Sequence, residues 1–190
     1  MDACGNVTNC VQTITVQDTN KPSLHLPDDI TLDCPADTST NNTGVATADD
    51  TCSTVTVTFS DTTSNLCGNT KIISRTWAAT DECSNKVSGV QRITVRDITP
   101  PTITCPTNLV LECPADVGTN ATGVATAQDE CNSVTVTYND VQTNGCGGTM
   151  TISRTWSAVD TCGNSNGCVQ TIVVQDTTAP SLVCPADRIL

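Results

Sequence analysis

The chain has 190 residues with 13 cysteines, a single histidine and a formal net charge of −12. That acid excess argues against nucleic acid and anionic membranes as partners, because both demand clustered Lys and Arg. No run of 18 apolar residues offers a membrane span, and two Trp, one Tyr and one Phe leave Val, Ile, Leu and cysteine to fill any core.

The chain opens on "DACGN" (2–6), which returns as "DECSN" (81–85) and "DTCGN" (160–164), so that Cys4, Cys83 and Cys162 lie 79 residues apart. The period then holds without insertion. "VQTITVQDTNKP" (11–22) answers "VQRITVRDITPP" (90–101) and "VQTIVVQDTTAP" (169–180), and "TGVATADDTC" (43–52) answers "TGVATAQDEC" (122–131). Residues 1–21 read as the C-terminal part of a preceding repeat. Residues 22–100 and 101–179 are whole repeats, and 180–190 is the first strand of a following one. The chain is then either a window on a longer array or a unit whose ragged ends neighbouring copies complete.

Within a repeat the strongest signal is alternation. "VTVTFSD" (55–61) puts Val55, Val57 and Phe59 on one face, and "VTVTYND" (134–140) repeats this with Tyr138. A period of two marks half-buried strands, and threonine, about a fifth of the chain, suits such pleated surfaces. Gly, Asn, Asp and Pro punctuate the runs at the spacing of a β-sandwich. No segment has the 3.6-residue period of a helix. The expected fold is all-β, a tandem of sandwiches with about seven short strands each. Trp77 and Trp156 in "SRTW" read as core anchors, with a ligand-stacking platform as the alternative. Arg75 and Arg154 share their face and are expected near a sandwich edge beside a carboxylate.

The cysteines point to disulfides formed in an oxidising compartment. None lies in a C-x-x-C pair, and His25 alone cannot complete a usual zinc set. Repeat 22–100 has Leu26 and Gly89 where repeat 101–179 has Cys105 and Cys168. Joint loss is what a bonded pair would show, so Cys105–Cys168 is expected. Loops alternate between the two ends of a sandwich, which predicts Cys52–Cys83 and Cys131–Cys162 at one end, and Cys34–Cys67 and Cys113–Cys146 at the other. Cys10 and Cys184 are the last-position and first-position cysteines of incomplete repeats, and a head-to-tail contact between copies would join them. Cys4 has no assigned partner.

The frame "D-x-T-x-P … CP … (A)TD-x-C … VTVT … G-x-T … TW-x-A-x-D-x-C-GN … C-x-Q-T-I-x-V-x-D-x-T", with "ATDEC" (79–83), resembles the hyalin repeat, especially the cysteine-rich versions in long surface proteins of bacteria and other microbes. The resemblance covers the whole chain. It implies an immunoglobulin-like sandwich, an extracellular location, and adhesive or structural duty without catalysis. Leu26 and Gly89 depart from the family's usual cysteines.

The junctions "QDTNKP" (17–22), "RDITPP" (96–101) and "QDTTAP" (175–180) are short and proline-stiffened. They bring Asp97 towards Asp129, Glu130 and Asp160, and Asp18 towards Asp49, Asp50 and Asp81. Such carboxylates are either a Ca²⁺ site of hard oxygen ligands or a solvated acidic surface. Sequons at Asn6, Asn41 and Asn120 offer attachment points for covalent glycans, though a chain so rich in Asn, Ser and Thr contains several by chance.

The function expected from these features is that of an extracellular structural protein. Stapled repeats would form a rod that assembles head-to-tail into a glycosylated surface fibre, with copies of itself as partners. The alternative is the stalk of a cell-surface adhesin or receptor whose binding tip lies elsewhere. Matrix or cell-surface glycans would then be partners, although Phe59 and Tyr138, the available stacking aromatics, read as buried. Catalysis is not expected: His25 has no counterpart at Thr104, and no nucleophile–base set or phosphate loop is present.

Overall fold

The computed structural model describes residues 1–188; residues 189 and 190, the end of the segment expected to begin a further repeat, lie outside the described residues. In 22–100 the elements are β1 (Ser23–His25), β2 (Ile30–Asp33), α1 (Thr40–Thr43), β3 (Thr47–Asp49), β4 (Val55–Asn65), β5 (Lys71–Asp81) and β6 (Lys86–Arg96). In 101–179 they return as β7 (Thr102–Thr104), β8 (Leu109–Glu112), α2 (Thr119–Thr122), β9 (Thr126–Gln128), β10 (Val134–Asn144), β11 (Met150–Asp160) and β12 (Ser165–Gln175). The protein is all-β, a tandem of two-sheet repeats.

In the second repeat one sheet has the order β10-β11-β12-β8 and the other pairs β7 with β9. β10, β11 and β12 run antiparallel, with Tyr138 opposite Trp156 and Ile152 opposite Ile172. β8 joins β12 in parallel, Leu109 opposite Ile172. β7 lies against β12 and β9 against β10, which closes the sandwich. The first repeat has the same orders, β2-β6-β5-β4 and β1-β3.

The strands are fewer and longer than the alternation suggested: six per repeat, three of them of eleven residues. The helical turn was not expected, because four residues carry no detectable period. Its cause is local. Thr43 donates to the Ser39 carbonyl through its hydroxyl (2.9 Å) and its amide (3.0 Å), and Thr122 does the same to Gly118 (3.0 Å each).

That turn serves the core. Alternate residues of β11 point inward, so Ile152, Arg154, Trp156, Ala158 and Asp160 are all buried, as are Gln170, Ile172 and Val174 of β12. Arg154 holds the Asp140 carboxylate with two bonds of 2.8 Å, the Thr122 hydroxyl at 2.7 Å and the Val117 carbonyl at 2.9 Å. Gln170 donates to the carbonyls of Thr107 (3.0 Å) and Thr122 (2.8 Å). Arg75 and Gln91 repeat this arrangement with Asp61, Thr43, Thr38 and Asp28. The expected carboxylate partner of each arginine is there, but the edge placement is not. β5 and β11 are inner strands, and the guanidinium is buried beneath an aromatic ring, 4.7 Å from Phe59 and 4.8 Å from Tyr138. Trp77 and Trp156 are buried as core anchors, each contributing about 3 kcal/mol or more in a core this poor in aromatics.

The chain divides into two compact units. One comprises residues 1–30, 37–63 and 72–93; the other comprises 31–36, 64–71 and the described residues from 94 onward. The short segments bearing Cys34 and Cys67 therefore belong with the body of repeat 101–179.

Candidate functional site: the cysteine loops

The loops at Cys131 and Cys162 are turns organised by their own aspartates, while those at Cys67 and Cys146 are closed by the Thr70 and Thr149 hydroxyls on the Cys67 and Cys146 carbonyls. Asp129 Oδ1 accepts from the amides of Cys131 (2.8 Å) and Asn132 (2.9 Å). Asp160 Oδ1 accepts from the amides of Cys162 (2.8 Å) and Asn164 (2.9 Å), while its Oδ2 accepts from the Asn164 side chain (2.8 Å). Burial pushes the Asp160 carboxyl up, but hydrogen bonds from Asn164, Cys162 and Gly163 outweigh it and hold the group below its ordinary value. The turn closes through a left-handed residue, Gly163 at φ 91°, matched by Gly5 at 85° and by Ser84 at 73°. This is the physical content of the thrice-repeated stretch that opens the chain.

Asn132 ties these loops together. Its amide nitrogen donates to the Asp97 carboxylate and to Cys162 Sγ (3.4 Å), and its oxygen accepts from the Thr161 hydroxyl (3.1 Å). Asp97 itself caps the junction turn by accepting from the Thr99 amide at 3.0 Å. Asn132, which sequence reasoning did not single out, carries no motif signal because Ser53 replaces it one repeat earlier.

Three disulfides are present among the described residues. Cys105, just after β7, is bonded to Cys168 in β12. Cys34 is bonded to Cys131 and Cys67 to Cys162, with Cα separations of 5.9 and 5.1 Å. These two replace the expected Cys34–Cys67 and Cys131–Cys162 pairs. The loops do gather as the sandwich topology suggested, but each cysteine bonds across the junction to the loop of the adjacent repeat. The loops of the adjoining repeats are in direct contact. Asn69 donates its amide to the Cys131 carbonyl (3.3 Å) and Cys162 Sγ lies 3.4 Å from the Cys67 carbonyl. The expected Cys52–Cys83 and Cys113–Cys146 bonds are not formed; these four cysteines are free thiols among the described residues, as are Cys4 and the pair Cys10 and Cys184, whose expected bond joins two copies, with Cys113 partly covered and the others exposed.

The acidic residues sort by the same loops. Asp97, Asp129 and Asp160 present carboxylate oxygens within 4.8 Å of one another, and Asp18, Asp50 and Cys52 form an equivalent group. Glu130 stays outside the first group, lining with Asp97, Asp129 and the Cys34–Cys131 bond a cleft of about 520 Å³. Asp49 departs from its expected place, because β3 directs it to an exposed pair with His25 at 3.4 Å. Asp81 is committed to its turn, accepting from Asn85 at 2.7 and 2.8 Å. Asp18 Oδ2 is buried without a hydrogen-bond partner.

The sequon residues Asn6, Asn41 and Asn120 are exposed. In the last two sequons the threonine is buried and its hydroxyl receives Arg75 Nη1 or Arg154 Nη1, so core packing alone explains that threonine. Phe59 and Tyr138, expected inside, are 48% and 50% exposed. Each rests one side on a tryptophan, with ring centroids 5.0 and 5.1 Å apart.

No protein-family model matches the chain, and no curated protein matches it. Among solved structures it is similar to a protocadherin gammaB7 EC3-6 cis-dimer structure, at 14% identity and a TM-score of 0.35, over 84% of this chain and 52% of that one. It is also similar to the protocadherin gammaB4 extracellular domain, at 17% identity and a TM-score of 0.34, over 82% of this chain and 33% of that one. The chain thus spans about half the length of the first and a third of the second. A likeness of that degree carries no argument about function, and the hyalin-repeat resemblance rests on the residues that carry it.

Proposed function

We propose that this is an extracellular structural protein whose repeats are locked end to end by disulfides and which assembles head-to-tail into a glycosylated surface fibre. The observation that carries the reading is the pair of bonds Cys34–Cys131 and Cys67–Cys162, each running from repeat 22–100 to repeat 101–179. Two crosslinks at one junction restrain bending there, which a load-bearing array needs and a single-module binding domain does not. Disulfide density supports a location outside the reducing cytosol. A chain whose two ends differ and whose contact does not close into a ring extends as a filament. Electron microscopy of purified protein under oxidising conditions tests this: fibres that shorten or vanish on reduction support the reading, and monodisperse particles at high concentration contradict it.

A divalent cation is the natural further stiffener. The carboxylates of Asp97, Asp129 and Asp160, and those of Asp18 and Asp50 beside Cys52, supply hard oxygen donors at the junction turns. The orphaned Asp18 Oδ2 favours this. Calcium that raises the melting temperature, reversibly with chelator, supports it; an unchanged melting curve removes the cation.

The second reading is an adhesin stalk that touches glycans. The half-exposed Phe59 and Tyr138 rings favour it, since a sugar face stacks on such a surface. Binding to a glycan array that is lost on Tyr138→Ala and Phe59→Ala is its test.

A further inference from the structure

We infer that Cys113 with Cys146, and Cys52 with Cys83, are the two halves of the same two-disulfide lock seen at the central junction, each half closed by another repeat with this cysteine frame. The inference rests on the head-to-tail reading and specifies its covalent bonds: Cys113 to the partner repeat's equivalent of Cys52, and Cys146 to that of Cys83.

The period supplies the first argument. Cys34 and Cys67 recur as Cys113 and Cys146, while Cys131 and Cys162 have Cys52 and Cys83 as their counterparts one repeat earlier. The two junction bonds each join the first kind of loop to the second in the adjoining repeat.

Geometry supplies the second. The unbonded loops are built like the bonded ones. The Cys113 amide donates to the Gln175 carbonyl at 2.8 Å, as the Cys34 amide does to Arg96 at 2.8 Å. The Thr149 amide donates to the Cys146 carbonyl at 3.0 Å, as that of Thr70 does to Cys67 at 3.0 Å. Cys113 Sγ donates to the Gly147 carbonyl at 3.8 Å, beside the Cys146 loop, yet forms no disulfide with Cys146. At the other end the Cys52 amide reaches Asp50 Oδ1 at 2.8 Å, matching Cys131 and Asp129. The Thr54 hydroxyl reaches Glu82 at 2.6 Å and holds the Cys52 and Cys83 loops together.

A third observation is independent of the sulfurs. Gly68 has φ 54°, and a Cβ there would collide with Asn132 Oδ1, so the adjoining loop packs directly on it. Its equivalent Gly147 has the same conformation, φ 61°, with nothing within 4 Å of a Cβ. At the matching place in the other half stands Ser53, whose Oγ is buried without a partner.

Closure is a thiol–disulfide exchange in which oxidised glutathione, or another small disulfide, is the oxidant. For each bond two protein thiols lose two protons and two electrons, one S–S bond forms, and the oxidant's S–S bond breaks to give two small thiols.

The test uses the full chain in two variants, each also carrying Cys4→Ser, Cys10→Ser and Cys184→Ser. One adds Cys52→Ser and Cys83→Ser, the other Cys113→Ser and Cys146→Ser. In glutathione buffer each alone stays monomeric on a non-reducing gel, whereas the mixture gives a covalent dimer and nothing larger. Its digest contains the peptide pairs Cys113–Cys52 and Cys146–Cys83. A second arm extends the chain by a further copy of 101–179, in which Cys113 and Cys146 bond within the chain; comparing the arms tells whether a second copy or the same polypeptide supplies the partner. Cys52–Cys83 or Cys113–Cys146 peptides, or thiols that stay alkylatable in both arms, overturn the inference. Wild-type fibres with those four thiols free would leave head-to-tail assembly standing while overturning the lock.

Discussion

Leu26 lies over Gly89, so close that a Cβ on the glycine would fall 2.6 Å from Leu26 Cδ1. These are the positions at which the next repeat carries the bonded Cys105 and Cys168. A bulky side chain just after β1 and a bare glycine on β6 fill the space that two sulfurs fill elsewhere.

That exchange can be undone. Leu26→Cys with Gly89→Cys restores the bond and raises unfolding free energy by about 4 kcal/mol in the chain-entropy account, read by denaturant titration with and without reductant. Gly89→Ala alone lowers it by about 1–3 kcal/mol through overpacking.

The buried guanidinium sets a second expectation. Asp61→Asn leaves Arg75 charged and under-partnered inside the sandwich, at a cost of about 3 kcal/mol, and Asp140→Asn does the same to Arg154. Arg75→Lys does not substitute for the native residue, because an ammonium cannot make the paired contact that Nε and Nη2 make with both Asp61 oxygens. Chemical denaturation of each variant measures this.

Acid sensitivity follows from the same pairs. The hydrogen bond from Arg75 holds the Asp61 carboxyl below its ordinary value, and Arg154 does so for Asp140. A depressed folded value means that the unfolded chain takes up protons first. The stabilisation is complete above the unfolded value of about 4 and disappears as pH falls through the folded value. A melting temperature level above about pH 5 and declining below about pH 4 is expected. The decline becomes shallower in Asp61→Asn with Asp140→Asn.

The repeated turn offers a local probe. Ser84 holds φ 73° where Gly163 and Gly5 stand elsewhere. A side chain in that region costs about 1–2 kcal/mol, so Ser84→Gly stabilises and Gly163→Ala destabilises by up to that amount, both visible as shifts in thermal melting.

How much of this the residues disclosed depended on what the repeats differ in. Alternation in "VTVTFSD" and "TISRTWSAVD" was enough for an all-β fold, because a two-residue period matches the pleat of a strand and not the turn of a helix. Cys105 and Cys168 were legible because the other repeat lacks both. The remaining four cysteine positions occur in both full repeats, so pairing within a repeat and pairing across the junction satisfy the same count; only the approach of the adjoining loops separates them. Phe59 and Tyr138 misled for a geometric reason. They sit on β4 and β10, the outermost strands of four-stranded sheets faced by sheets of only two, so the inner side of that edge stays partly uncovered. Asp49 failed to join the acidic group because one residue's step along β3 turns it to the opposite face from its neighbours.

The central claim is that covalent sulfur links run between consecutive repeats. Non-reducing proteolysis with mass mapping of the oxidised protein tests it most directly. The expected products are the peptide pairs Cys34–Cys131 and Cys67–Cys162; recovery of Cys34–Cys67 and Cys131–Cys162 instead would contradict the claim.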